Sequence, residues 1–246
     1  MENIGAIEKV EGLPSGWQLV TQSWTLYKQK FALVTGIAAV MGLIIFVINL
    51  GILNATHFTP DSSPELMNVM KLVTFVLGLF VQGALIQALA FPEQAPTVAH
   101  AYMSSKGKIG MMLLVGIIVG LIVAVGTIAF IVPGILFALW FGFSNYVVIV
   151  DGLGEMKAMK ASRRLVVGRA NAVLWRWICG GLTSAVPLIL ISLIITILPI
   201  NTELRRIVGT ALSFIFVSPW FLIFGYLLFT NLKRIQASVT PPMPRP

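Results

Sequence analysis

Charge is what this chain lacks most. Of its 246 residues, 11% are Asp, Glu, Lys or Arg, whereas an ordinary soluble domain carries about a quarter. Hydrophobic residues make up 57%, and the mean hydropathy is +0.92. So few charges cannot build a water-facing shell, and the chain reads as a membrane protein. Cysteine is nearly absent too. Cys179 stands alone, which excludes an intramolecular disulfide and a thiolate cluster for zinc or iron–sulfur chemistry. The two histidines, His57 and His100, fall in different loops without a second ligand at metal-binding spacing, so no metal site is predicted. There is no phosphate-cradling glycine loop, and Gly152-Leu153-Gly154 is too short for a nucleotide fingerprint, so no cofactor is predicted. A nucleophile elbow and an HExxH pattern are missing as well, and a non-enzyme is expected.

What is present is a set of long apolar runs. Residues 31–53, 69–91, 109–131, 135–150, 173–198 and 207–230 form six of them. At 1.5 Å per residue, about 23 residues reach about 35 Å, enough for a hydrocarbon core of about 30 Å with some tilt. The fourth run is short. It has two readings, a re-entrant piece or a full crossing, and the full crossing is favoured because Val132-Pro133-Gly134 reads as a tight turn between antiparallel spans. The first thirty residues carry Glu2, Glu8 and Glu11, and no small-residue cleavage pattern follows the first apolar run, so no cleaved leader is expected.

The basic residues set the expected orientation. With the N-terminus inside, fourteen of the seventeen fall on inner segments, and only Lys71, Arg205 and Arg206 fall outside. Six acids lie inside and three outside, which puts the whole formal charge of +8 on the inner face. Short loops rich in Lys and Arg stay cytoplasmic. The tail of residues 1–14 and the Pro-rich tail of residues 231–246 are therefore both predicted to be cytoplasmic, in the cell (inner) membrane. Insertion accounts for the pI of 9.9 without nucleic acid as a partner, and points instead to anionic headgroups at the inner face.

Two further segments are amphipathic. Within residues 15–30, and running on to Phe31, Trp17, Val20, Trp24, Tyr27 and Phe31 recur at helical spacing behind a Ser15–Gln18 capping box. This helix lies in the interface, packs on the inner end of the bundle, or does both. In residues 155–172, Met156, Met159, Val166 and Ala170 mark one face and Lys157, Lys160 and Arg164 another, with Arg163 interrupting the apolar stripe. Trp17, Trp24, Lys157, Lys160 and Arg164 are thus the predicted contacts for lipid or a protein partner at the inner face. At an offset of 139 the two segments align, with Trp17 on Met156, Val20 on Met159, Ser23 on Ser162 and Tyr27 on Val166. That offset predicts a parallel internal repeat. The expected fold class is all-α, a polytopic bundle of six transmembrane helices plus two interfacial amphipathic helices.

Between Ile131 and Gly181 a motif appears: Val132-Pro133-Gly134-Ile135, a span ending at Asp151, then Glu155, Ala158 or Ala161, Ser162, Leu165, Gly168 and an aromatic run. It resembles the glycerophosphoryl diester phosphodiesterase membrane-domain family and its uncharacterised six-helix bacterial inner-membrane relatives. The resemblance implies a helical membrane module. The hydrolase domain that some members carry is not expected, because no segment outside the spans could hold a barrel of about 250 residues, and neither His57-Phe58 nor His100-Ala101 forms the His-Arg pair of such hydrolases. Read physically, Pro133 and Gly134 permit a reversal, Glu155 suits the positive start of a helix, and Ser162 and Gly168 allow close packing or a bend.

Polar residues inside the spans are the pointers to a site. Asn49, Gln82, Gln87 and Asn145 line a polar cavity or form interhelical hydrogen bonds. Gly116 and Gly120 form a close-contact face, and Pro187 and Pro219 interrupt helices. The expected function is a non-enzymatic membrane module that organises lipid or a protein partner. The alternative is a transporter or channel for a small uncharged or zwitterionic solute through the Asn and Gln set. A third class, an enzyme acting on headgroups, would have only Asp151 and Glu155, one helical turn apart.

Overall fold

The computed structural model describes residues 12–56 and 64–239. The readings placed on residues 1–11, on His57 and on residues 240–246 lie outside the described residues. Within them the chain is α-helical, with no strand. The helices are α1 (Gly16–Gln29), α2 (Phe31–Thr56), α3 (Pro64–Ala90), α4 (Val98–Ala129), α5 (Ile131–Phe141), α6 (Ser144–Asp151), α7 (Glu155–Val166), α8 (Ala170–Ile197) and α9 (Thr202–Val239). Counting α5 and α6 as one interrupted helix over Ile131–Asp151, six are long and apolar enough to cross a membrane. The chain is an all-α helical bundle of the multi-pass membrane type.

Alternating direction along the bundle sorts the connections into two ends. Lys30 Nζ donates to Ala88 O (3.4 Å), Lys108 Nζ to Ile149 O (2.7 Å), and Arg176 Nε and Nη2 to Pro14 O and Leu13 O (2.7 and 2.8 Å). Lys233 forms an ion pair with Asp151. These bonds tie together the end that carries α1 and α7, termed proximal below. The distal end holds the α4–α5 and α8–α9 turns.

Burial is uneven between the ends. Leu85, Ile86, Phe143, Ile149, Phe224, Phe229 and Leu232 are fully enclosed. Aromatic rings fill the space between α6, α8 and α9: Tyr146 stacks on Phe229 with centroids 5.7 Å apart, and Trp177 meets Phe221 at 5.2 Å. Toward the distal end the helices present Leu121, Val125, Ile128, Leu190, Leu193 and Ile197 outward. A water-soluble protein does not expose an apolar surface that extensive, and lipid is the solvent that removes the penalty.

Helix α4 begins at Val98, so His100 lies in a helix and not in a loop, and α9 continues through residues 231–239 of the expected tail. Three further local features differ from the sequence expectations, each for a physical reason. The turn between the third and fourth spans is one extended residue, Phe130 (φ −161°, ψ 145°), and not Val132-Pro133-Gly134. Proline has no N–H to lose in a first helical turn, so Pro133 and Gly134 fall inside α5. Gly134 then makes a close contact instead of a reversal: a Cβ there would lie 2.9 Å from the Thr127 backbone. The fourth apolar segment accordingly begins at Ile131 and, with a break between Phe141 and Ser144, runs to Asp151, long enough to cross a membrane. Helix α7 stops at Val166, short of the expected residue 172, because Gly168 adopts φ +83°, a conformation that glycine takes without penalty. Its buried face is Ala158, Met159, Ser162, Leu165 and Val166. Met156 points outward, and Arg163 does not interrupt the buried face, since its guanidinium sits 4.7 Å above the Trp140 ring.

At the offset of 139, the buried positions Leu19, Val20, Ser23 and Tyr27 of α1 coincide with Ala158, Met159, Ser162 and Val166 of α7. The helices they pack on differ for the most part. α1 lies mainly on α8 and α9, and α7 mainly on α4, α5 and α6, with a smaller contact to α9.

Candidate functional site

Helix α1 starts with the expected capping box. Ser15 Oγ accepts from Gln18 N (3.1 Å), and Gln18 Oε1 accepts from Ser15 N (2.8 Å). One face, Gly16, Leu19, Val20, Ser23 and Tyr27, is buried against the bundle. At Gly16 the approach to α8 is so close that a Cβ would come 2.7 Å from Cys179 Sγ. Tyr27 anchors the other end of α1. Pro219 leaves the Ile215 carbonyl without its usual helical donor, and one residue along, Phe216 O accepts the Tyr27 hydroxyl at 3.1 Å. Burial pushes the Tyr27 hydroxyl above its ordinary range, with the Thr35 contact opposing.

The aromatic stripe predicted for this helix divides between two settings. Val20 and Tyr27 are buried, whereas Trp17 is 73% and Trp24 49% exposed. Those two indoles edge a crevice of about 710 Å³ between α1, α8 and α9, within the volume range typical of ligand pockets. Val186, Pro187 and Leu190 of α8 and Phe216, Val217 and Trp220 of α9 form its walls. The lining is almost wholly apolar. Its polar groups are few: Thr183 donates to Cys179 O at 2.8 Å, and the buried Trp220 Nε1 has no hydrogen-bond partner; outside the lining itself, Lys28 Nζ lies 5.4 Å above the ring of the lining residue Trp24, a cation–π distance. The crevice thus offers an apolar trough with a cation at its rim.

The four polar residues do not form one group. Asn145 Nδ2 donates to Gln82 Oε1 at 2.9 Å, joining α6 to α3. Gln87 Nε2 reaches Gln94 Oε1 at 3.4 Å, beyond the end of α3. Asn49 Nδ2 donates to Ile45 O of its own helix at 2.7 Å. Interhelical bonding describes Gln82 and Asn145. The aromatic crevice is lined by none of the four.

The family-like motif has structural tasks here. Ser162 Oγ donates to Trp140 O (2.7 Å) and accepts from Phe143 N (3.2 Å), bridging the break between α5 and α6. Glu155 opens α7, where a carboxylate favours the positive helix end. Lys157, Lys160 and Arg164 are exposed on the outer face of α7. Asp151 is engaged by Lys233. Gly116 packs on Phe75, while Gly120 has open space beside it. No group of three or more His, Cys, Asp or Glu suited to a metal occurs among the described residues.

Sequence reasoning missed the lysine and arginine bonds to backbone carbonyls at Ile149, Pro14 and Leu13, because a cation bonded to a distant stretch of backbone leaves no local pattern. It also missed the crevice itself. The stripe was visible, but the α8 and α9 residues that complete it lie more than 150 positions away. Comparison with family models, curated proteins and solved structures returns no match.

Proposed function

We propose that the chain is a non-enzymatic integral membrane module that organises lipid, seating a phospholipid in the crevice between α1, α8 and α9. The observation that carries this reading is the composition of that crevice: an apolar trough edged by Trp17 and Trp24, with Lys28 held over the Trp24 ring. Indole rings favour the headgroup level of a bilayer, and a lysine stem lies along apolar surface while its ammonium stays among phosphates. An acyl chain against Val186, Leu190 and Phe216 with a phosphate near Lys28 satisfies both. The exposed Lys157, Lys160 and Arg164 on α7 add attraction for anionic headgroups of about 1 kcal/mol each.

The same proposal places the proximal end on the cytoplasmic side of the inner membrane. Twelve described basic residues lie at or near that end, and three, Lys71, Arg205 and Arg206, lie toward the other, the asymmetry of the positive-inside rule. The motif from Ile131 to Gly181 supports reading the chain as a membrane module like that of the glycerophosphoryl diester phosphodiesterase membrane-domain family, without a hydrolase.

Native mass spectrometry of the full chain in mild detergent tests the lipid reading. Wild type is expected to retain phosphatidylglycerol, and Val186→Trp, which fills the trough, to retain at least one molecule fewer. Leu121→Trp, on an exposed face of α4 away from the crevice, should match wild type. Equal retention by all three proteins would refute the proposal.

A further inference from the structure

A second crevice, of about 630 Å³, opens between α8 and α9 at the distal end. Its floor is apolar, built by Leu188, Ile191, Ile195 and Phe214. Ser192, Thr202, Ser213, Arg205 and Arg206 also line it, whereas the Thr196 and Thr210 hydroxyls donate to Ser192 O and Arg206 O of their own helices (2.8 and 2.9 Å). On α8 the residues of the two crevices fall on different faces. Those at 183, 186, 187 and 190 serve the proximal one, and those at 188, 191, 192 and 195 the distal one, which a period of 3.6 residues sets apart.

The two arginines are not equivalent. Arg206 donates through Nε and Nη2 to Glu203 Oε2 (3.2 and 3.0 Å), and its charge is balanced. Arg205 has no carboxylate partner among the described residues. Its Nη2 donates to Leu198 O (3.2 Å) and Ile200 O (3.3 Å), which fixes the guanidinium against the α8–α9 turn. Its Nε is buried with no hydrogen-bond partner. A buried donor on a charged group is costly to leave unmade, and a pre-positioned guanidinium is suited to an oxyanion.

We infer that the distal crevice binds the phosphate of an anionic phospholipid, with phosphate oxygens accepting from the Arg205 guanidinium through Nη1, which no described group engages, and with one acyl chain on the Leu188–Phe214 floor. The floor selects a lipid over a free anion, because inorganic phosphate would leave those apolar side chains uncovered. This site shares no residue with the proximal crevice. It extends the lipid reading without depending on the proximal crevice.

The test uses the full chain carrying Val186→Trp, so that the proximal trough is closed, titrated in detergent with phosphatidylglycerol and read by native mass spectrometry. Arg205→Gln should weaken binding roughly tenfold or more, the effect of losing a charge-assisted hydrogen bond. Arg206→Gln, whose charge Glu203 already balances, should leave binding within about twofold, on the same scale. Ser213→Leu fills the crevice while keeping Arg205 and its turn bonds, and should also weaken binding, which decides the matter if Arg205→Gln fails to fold. Phosphatidylcholine should bind more weakly than phosphatidylglycerol, and inorganic phosphate should not displace the lipid. The inference is overturned if Arg205→Gln and Arg206→Gln weaken binding equally, if Ser213→Leu binds as its parent does, or if inorganic phosphate alone competes.

Discussion

Ser162 holds two backbone groups that have no other described partner at the α5–α6 break, the Phe143 N–H and the Trp140 carbonyl. Replacing it with alanine leaves a buried N–H unpaired, a loss of about 1–3 kcal/mol. Thermal unfolding of Ser162→Ala in detergent should show a lower midpoint, and an unchanged midpoint would deny the bridge. Gly16 is a second single-residue constraint. A valine there meets Cys179 Sγ at less than van der Waals distance, and α1 must shift outward at a cost of about 1–3 kcal/mol. Because Cys179 is the sole cysteine, its maleimide labelling rate reports the displacement directly: faster labelling in Gly16→Val is expected. Sequence reading singled out Ser162 as a small residue, but its partners on α5 and at Phe143 belong to another helix, and residue type alone does not specify them. Nothing in the local pattern marked Gly16, since its constraint comes from α8, far along the chain.

At the scale of elements, the structure separates what periodicity reveals from what it does not. Length and hydropathy were enough to place all six spans, because a bilayer demands long uncharged helices whatever they pack against. Helix ends were less legible. Residue 166 ends α7 because Gly168 turns left-handed, and Phe130, not the Pro-Gly pair, reverses the chain before α5. The buried face of α7 is likewise not the one its most hydrophobic residues mark: Met156 is more hydrophobic than Ala158 or Ser162, yet tight packing favours the smaller side chains. Gln82 and Asn145 were legible as polar residues in apolar helices, and their pairing at 2.9 Å required the tertiary structure. A double-mutant cycle with Gln82→Leu and Asn145→Leu should give a coupling of about 0.6 to 1.7 kcal/mol, the range for such bonds within membrane helices. A coupling near zero would mean that the bond is not formed in the membrane.

For the molecule as a whole, the two crevices share the α8–α9 hairpin but open on different faces of α8. The proximal one is bordered by α1, so any motion of α1 changes its width, whereas the distal one is bounded by the hairpin alone. The distal site is not legible in the sequence, because Arg205 and Arg206 are adjacent residues of one type and differ only in the partners that the fold gives them. Both crevices matter only if lipid surrounds the helices and the basic proximal end faces the cytoplasm. In a background with Cys179→Ser, cysteines placed at Lys160 on α7 and at Asn201 in the α8–α9 turn read that arrangement with a membrane-impermeant maleimide. The account predicts that the cysteine at position 201 is labelled in intact cells and the one at position 160 only after permeabilisation; labelling of both in intact cells, or the reverse order, would contradict it.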